Sequence, residues 1–233
     1  MRRRTSVWIY GSFARGDADH NSDVDVLIAG DDCLSWCDVV GADATLAALI
    51  RNDHQLSPMQ FGWGELDAMA AYGSLFLHHV KLEGRPLTPI AEDSLTNLLN
   101  NLPPYRRAMQ EIRAFGTVLQ DVEHSVSVDH SPNFELAVIA AALRHAFILG
   151  CYVTGQPDFG RVTPFRRLSS ELELPSRTLR DLESLYQFRL YQQSRAPAPF
   201  DATTEDVREW LRVAATLFAA IHRRVDDFDR TVH

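Results

Sequence analysis

The stretch Val7–Ile28, VWIYGSFARGDADHNSDVDVLI, decides how this chain folds. Ser6 to Tyr10 reads as a buried β-strand and Val24 to Ile28 as a second. Between them lie Gly11-Ser12 and Ala14-Arg15-Gly16; the pair Asp23-x-Asp25 follows Ser12 after ten intervening residues. Along a strand, residues i and i+2 share a face about 6 to 7 Å apart, so Asp23 and Asp25 are expected to point together. Val24, Val26 and Ile28 then face apolar packing. Two carboxylates on one face suit a divalent cation, and Mg²⁺ is usually held by one or two carboxylates together with the phosphates of a nucleotide. Gly11 lets backbone approach a phosphate closely. A helix starting at Ser12 would offer its N–H groups and the Ser12 hydroxyl to the β- and γ-phosphates.

Outward from this stretch, the pattern stays α/β as far as Leu87. Ala42 to Arg51 reads as a helix, Met59 to Trp63 as a weaker third strand, and Glu65 to Leu82 as one long helix. Gly84-Arg-Pro-Leu-Thr-Pro89 supplies turn and breaker residues, after which nearly every periodic segment is helical. Helices are expected at Glu92 to Asn101, Tyr105 to His124, Asn133 to Thr154, Pro164 to Glu173, Ser176 to Gln193 and Thr204 to Phe228, the last capped by Asp201 or Thr203. The third of these is apolar around most of its circumference and should be the centre of a bundle. The expected architecture is α+β: a small mixed-sheet domain over residues 1–88, an all-α bundle over 89–233, and an active site in the cleft between them.

Composition narrows the function. The 233 residues are 45% hydrophobic, as in an ordinary globular chain, and the formal net charge is -8. That charge disfavours binding of long nucleic acid, which requires a broad basic face. No run of about 18 apolar residues and no signal-peptide pattern is present, so no membrane partner and a cytoplasmic location are expected. Cys33, Cys37 and Cys151 are too few for a disulfide framework and read as buried thiols. Lys81 is the sole lysine; the remaining basic side chains are Arg. Arg161, Arg166 and Arg167 are read either as a positive wall facing a triphosphate or as a solvated helix start.

Gly11-Ser12 followed at this distance by Ser22-Asp23-Val24-Asp25 resembles the signature of the DNA polymerase beta-like nucleotidyltransferase superfamily. The flanking RGD and SDVDVLI text is similar to its small prokaryotic branch, the minimal and aminoglycoside nucleotidyltransferases. A weaker likeness runs to Leu87. The resemblance implies attack of an acceptor hydroxyl on the α-phosphorus of a nucleoside triphosphate, ATP or another, with pyrophosphate leaving. Asp23 and Asp25 would be the catalytic pair and hold two Mg²⁺ ions; Gly11, Ser12, Arg15 and Ser22 would bind the nucleotide. The acceptor would be a small molecule or a protein. A homo-oligomer or a partner subunit is left open.

The chain departs from that pattern twice. The superfamily pattern calls for a third carboxylate on a neighbouring strand, where LSPMQFGW offers Gln60 and Ser57, and Gln60 cannot accept a proton as a base. Glu65 and Asp67, better read as first-turn helix acids, or Glu111, Glu135 or Asp181 are the substitutes. The resemblance also places a helix before the first strand, which here begins within about five residues of Met1, so the expectation is either that the start at Met1 is late or that another helix or a partner subunit covers that sheet face. The alternative to an enzyme is a degenerate nucleotide-binding or partner-binding protein, or an antitoxin-like regulator that modifies a partner.

Overall fold

In a computed structural model, the described residues are 3–20, 22–31, 44, 47–48, 55–87, 94–128 and 131–232. The expected helix Ala42–Arg51 lies almost wholly outside them, as do Cys33 and Cys37. By compactness the chain forms two units, Met1–Arg106 and Arg107–His233.

The first unit is built on a four-stranded mixed sheet. Its elements are β1 (Ser6–Tyr10), α1 (Gly11–Arg15), β2 (Val24–Ala29), β3 (Leu56–Phe61), α2 (Trp63–Ala71), α3 (Leu75–Glu83), β4 (Arg85–Pro86) and α4 (Ser94–Asn100). The strand order is β3-β2-β1-β4, with β1 antiparallel to β2 and β4, and β2 parallel to β3. The α+β class expected from the sequence is what is found.

Register sorts the side chains into two faces. Tyr10 pairs with Asp25 and Trp8 with Leu27; across the parallel pair, Asp25 meets Ser57 and Leu27 meets Met59. These residues share one face, and Trp8, Tyr10, Leu27 and Ala29 pack there with Trp63 and Leu66 of α2, Leu77 and Val80 of α3, and Leu95 and Leu99 of α4. The opposite face carries Ile9, Val24, Val26 and Ile28, joined by Phe13 of α1 and by Leu56. Val24 and Val26 are fully buried, so a slip by one residue would exchange the two packed faces and turn the Asp25 carboxylate into the opposite apolar cluster.

Three local features differ from the sequence expectation. The third strand runs Leu56–Phe61, earlier than expected, because β3 is a sheet edge and tolerates Pro58. The long helix Glu65–Leu82 is two helices, broken at Tyr72-Gly73-Ser74. Gly73 has φ +67, and a Cβ there would collide with the Pro103 carbonyl oxygen. Arg85-Pro86, read as a turn, adds a two-residue strand opposite Trp8 and Ile9.

The division at Arg106/Arg107 also falls later than 88/89. Leu95 and Leu99 bury α4 in the first unit's core. His78 Nε2 lies 3.0 Å from the Pro103 carbonyl, and the Arg106 N–H donates to the Tyr72 carbonyl at 3.0 Å. Residues 94–106 therefore belong with the sheet.

The second unit is helical: α5 (Ala108–Val128), α6 (Pro132–Val153), α7 (Thr163–Ser169), α8 (Ser176–Gln192) and α9 (Thr204–Val232). As its apolar circumference implies, α6 is central and packs against α5, α7, α8 and α9. It is long and apolar enough to cross a membrane, but two thirds of that window is buried, at 67%. Thr203 caps α9 reciprocally: its Oγ1 accepts the Asp206 N–H at 3.3 Å, and its own N–H donates to the Asp206 carboxylate at 2.8 Å.

Candidate functional site

The site assembles at the end of β1 and the start of β2. Tyr10 closes the first strand in extended conformation, and Gly11 then turns the chain with φ +71 into α1. Only glycine suits this point. Besides the left-handed backbone, a Cβ at Gly11 would collide with Asp25 Oδ2, so the missing side chain is what lets the carboxylate lie against the turn. The short helix ends at Gly16, φ +83, whose N–H donates to the Ser12 carbonyl at 2.9 Å.

Asp23 and Asp25 both act on Tyr10. Burial raises the phenol above its ordinary value, and the charges of Asp25 and then Asp23 raise it further. The Tyr10 hydroxyl donates to Met59 Sδ at 3.2 Å, and its ring meets Phe76 and His79 edge-on at 5.5 and 5.3 Å. One face of the sheet end thus carries two carboxylates, a protonated phenol and a helix side, α3.

The third-carboxylate position needs correction. Gln60 pairs with Ile28, so it belongs to the face opposite Asp25 and is exposed there. The residues of β3 that share the Asp25 face are Ser57, directly in register, and Met59. A hydroxyl and a thioether therefore stand where an acid was sought. Among the described residues there is no cluster of three or more His, Cys, Asp or Glu side chains able to hold a metal.

The other expected ligands are engaged locally. The Ser22 hydroxyl donates to Asp19 Oδ1 at 2.9 Å and accepts the Asp19 N–H at 3.0 Å, closing the turn that delivers Asp23. Arg15 donates from Nε to both Asp17 oxygens, at 3.1 and 3.2 Å, and from Nη1 to Glu83 Oε2 at 2.5 Å. Ser12 lies in α1 immediately after Gly11.

Four of the five substitute acids do other work. Glu65 accepts the Gly62 N–H at 2.8 Å, capping α2, and Asp67 pairs with Arg3 at 2.6 Å. In the second unit, Glu135 is buried and accepts from Ser125 at 2.8 Å, and Asp181 lies 3.8 Å from Arg177. Of the three arginines read either as a positive wall or as a solvated helix start, Arg166 pairs with Glu183 and Arg167 with Asp158.

Sequence reasoning missed Tyr10, His79 and Glu83. The i,i+4 spacing of His79 and Glu83 was visible, but nothing in it tied α3 to residues sixty or more positions earlier, as the Arg15–Glu83 pair does with a separation of 68.

No curated protein matched the chain. Gly11, Asp23 and Asp25 fall inside the segment that a family model recognises: residues 1–54 match the family described as Nucleotidyltransferase domain, which supports the superfamily and nucleotidyl transfer in general for this part of the chain.

Proposed function

We propose that the chain is a Mg²⁺-dependent nucleotidyltransferase that moves a nucleoside monophosphate, AMP in the first instance, from a triphosphate to a hydroxyl of a small molecule or protein. The observation that carries this reading is the fit of the Asp25 carboxylate into the space left by Gly11. A phosphate could approach backbone there with a carboxylate-held cation beside it.

The donor set suits the metal. Two hard carboxylates, with no cluster of three such ligands among the described residues, leave coordination positions for phosphate oxygens and water, which is how Mg²⁺ commonly binds. Zinc would be poorly served by a pair of carboxylates alone. When bound, the metal would neutralise the triphosphate and polarise the α-phosphorus. Asp23 and Asp25 would hold it, the Gly11-Ser12 backbone and the Ser12 hydroxyl would receive terminal phosphates, and Ser22 would keep Asp23 in place through Asp19.

Ser57 and Met59 favour a second reading. With no acid on β3 beside Asp25, the site could bind a nucleotide without transferring it, as a degenerate binding protein or a regulator acting on a partner. Calorimetry with ATP and Mg²⁺, run beside a pyrophosphate-release assay, separates the two. Binding lost in the paired variant Asp23→Asn with Asp25→Asn, together with pyrophosphate release, supports the enzyme. Binding without release supports the second reading. ATP that does not bind, or binds equally well to the paired variant, removes the metal site from both.

A further inference from the structure

We propose that Glu83 is a positioning residue of the nucleotide site, acting through Arg15 to hold the segment after Gly11 in its binding form. The inference rests on the nucleotide reading of the Asp23/Asp25 face. Glu83 is the last residue of α3, where a carboxylate faces the negative end of the helix dipole. Its side chain is only 6% exposed. Such a group is costly to keep charged unless cations or donors meet it.

Two do so at a single oxygen. Glu83 Oε2 accepts from Arg15 Nη1 at 2.5 Å and from His79 Nε2 at 2.7 Å. Arg15 is the final residue of α1, so the pair ties the end of the short helix to the end of α3, and α1 packs against α3 as well as β1 and β2. Asp17 holds the Nε edge of the same guanidinium. The planar fork is thereby fixed on two sides, while Nη2 has no partner among the described residues. His79 also touches the Tyr10 ring, which lies beside the acid pair. Glu83 therefore joins the phosphate segment and the acid-bearing strand to one helix terminus.

Charge adds a second effect. Asp17 and Glu83 share Arg15, so loss of the guanidinium leaves two acids near a site meant for a polyanion. Loss of Glu83 instead frees the guanidinium and the segment that carries it. Either change should weaken the nucleotide, and because each acts through the same pair their effects should not add.

The experiment is calorimetry of ATP with Mg²⁺ on the full chain, using wild type, Glu83→Gln, Arg15→Gln, the double variant, and the Asp23→Asn/Asp25→Asn control. Each single substitution should weaken binding about tenfold, and the double should be no weaker than the worse single. A purely structural Glu83 would lower the thermal midpoint without this coupling. If Glu83→Gln stays within about twofold of wild type while the Asp control abolishes binding, or if the double loses about a hundredfold, the inference is overturned and the nucleotide site stands. If wild type itself does not bind ATP, the nucleotide site falls and this inference falls with it. Should Glu83→Gln fail to fold, His79→Gln serves: it removes one donor to the same oxygen and should weaken ATP about threefold, with no change overturning the proposal.

Discussion

Gly11 and Gly16 offer a matched pair of substitutions. Both have positive φ, +71 and +83, but a Cβ at Gly11 would collide with Asp25 Oδ2 whereas one at Gly16 meets nothing within 4 Å. Alanine at either position must adopt a left-handed backbone, costing about 1 to 2 kcal/mol. At Gly11 the Asp25 side chain must also leave its rotamer, adding about 1 kcal/mol. Gly16→Ala should therefore lose about 1 to 2 kcal/mol and Gly11→Ala about 2 to 3. Hydrogen exchange of the β1 and β2 amides reads the first unit alone, so the second unit's transition does not blur the difference. ATP affinity measured with Mg²⁺ should fall at least about tenfold in Gly11→Ala and change less than about twofold in Gly16→Ala, since only the first displaces a carboxylate. Equal exchange losses with equal affinities would refute the argument that the missing Cβ makes room for Asp25.

Ser57→Asp places a third carboxylate in register with Asp25 and should tighten Mg²⁺ or raise pyrophosphate release, while Gln60→Asp, on the opposite face, should do neither; a response from Gln60→Asp alone would contradict the register. His78 is held below its ordinary 6.5 by burial, against the opposing hydrogen bond to the Pro103 carbonyl and with a further push down from Lys81. Its folded value being depressed, stability should be full above about pH 6.5 and fall as pH drops through the folded value; thermal midpoints of His78→Gln should lack that part of the slope. At Asp158 burial works upward, but hydrogen bonds from Thr163, Arg167 and the Gly160 N–H prevail and hold it below the usual carboxylate value. Asp158→Asn should destabilise the second unit by about 1 to 3 kcal/mol, seen in exchange of the α7 amides. Unchanged protection there would show that the Thr163, Arg167 and Gly160 hydrogen bonds to Asp158 do not stabilise α7.

Elements whose signal is local were legible in the sequence. β1 and β2 follow from a short apolar run and from alternation around Asp23-x-Asp25, and the helices of the second unit follow from apolar periodicity with capping residues such as Thr203. What the sequence hid depends on partners far along the chain. Pro58 argues against a strand until its place at the sheet edge is known. Gly73 breaks a helix because Pro103 and Pro104 press on it, and Arg85-Pro86 is a strand only because Trp8 and Ile9 lie opposite. At the candidate site the alternation that orients Asp25 is readable, but the choice between Ser57 and Gln60 is not. It turns on whether β3 pairs Ser57 or its neighbour with Asp25, and a shift of one residue reverses the answer.

The order of strand pairing bears on how the chain reaches this state. Every residue from Gly11 to Asp23 lies within the antiparallel link between β1 and β2, so the glycine turn and both carboxylates come together through the nearest-neighbour pairing of the sheet. β3 joins later in sequence, through a parallel crossover that must close the chain from Ala29 to Leu56. Closing a longer loop costs entropy slowly, about 0.6 kcal/mol for each doubling of its length. The β1–β2 ribbon needs no such long closure, since the Tyr10–Asp25 pairing itself sets Gly11 against Asp25, and it is the part expected to form early in folding.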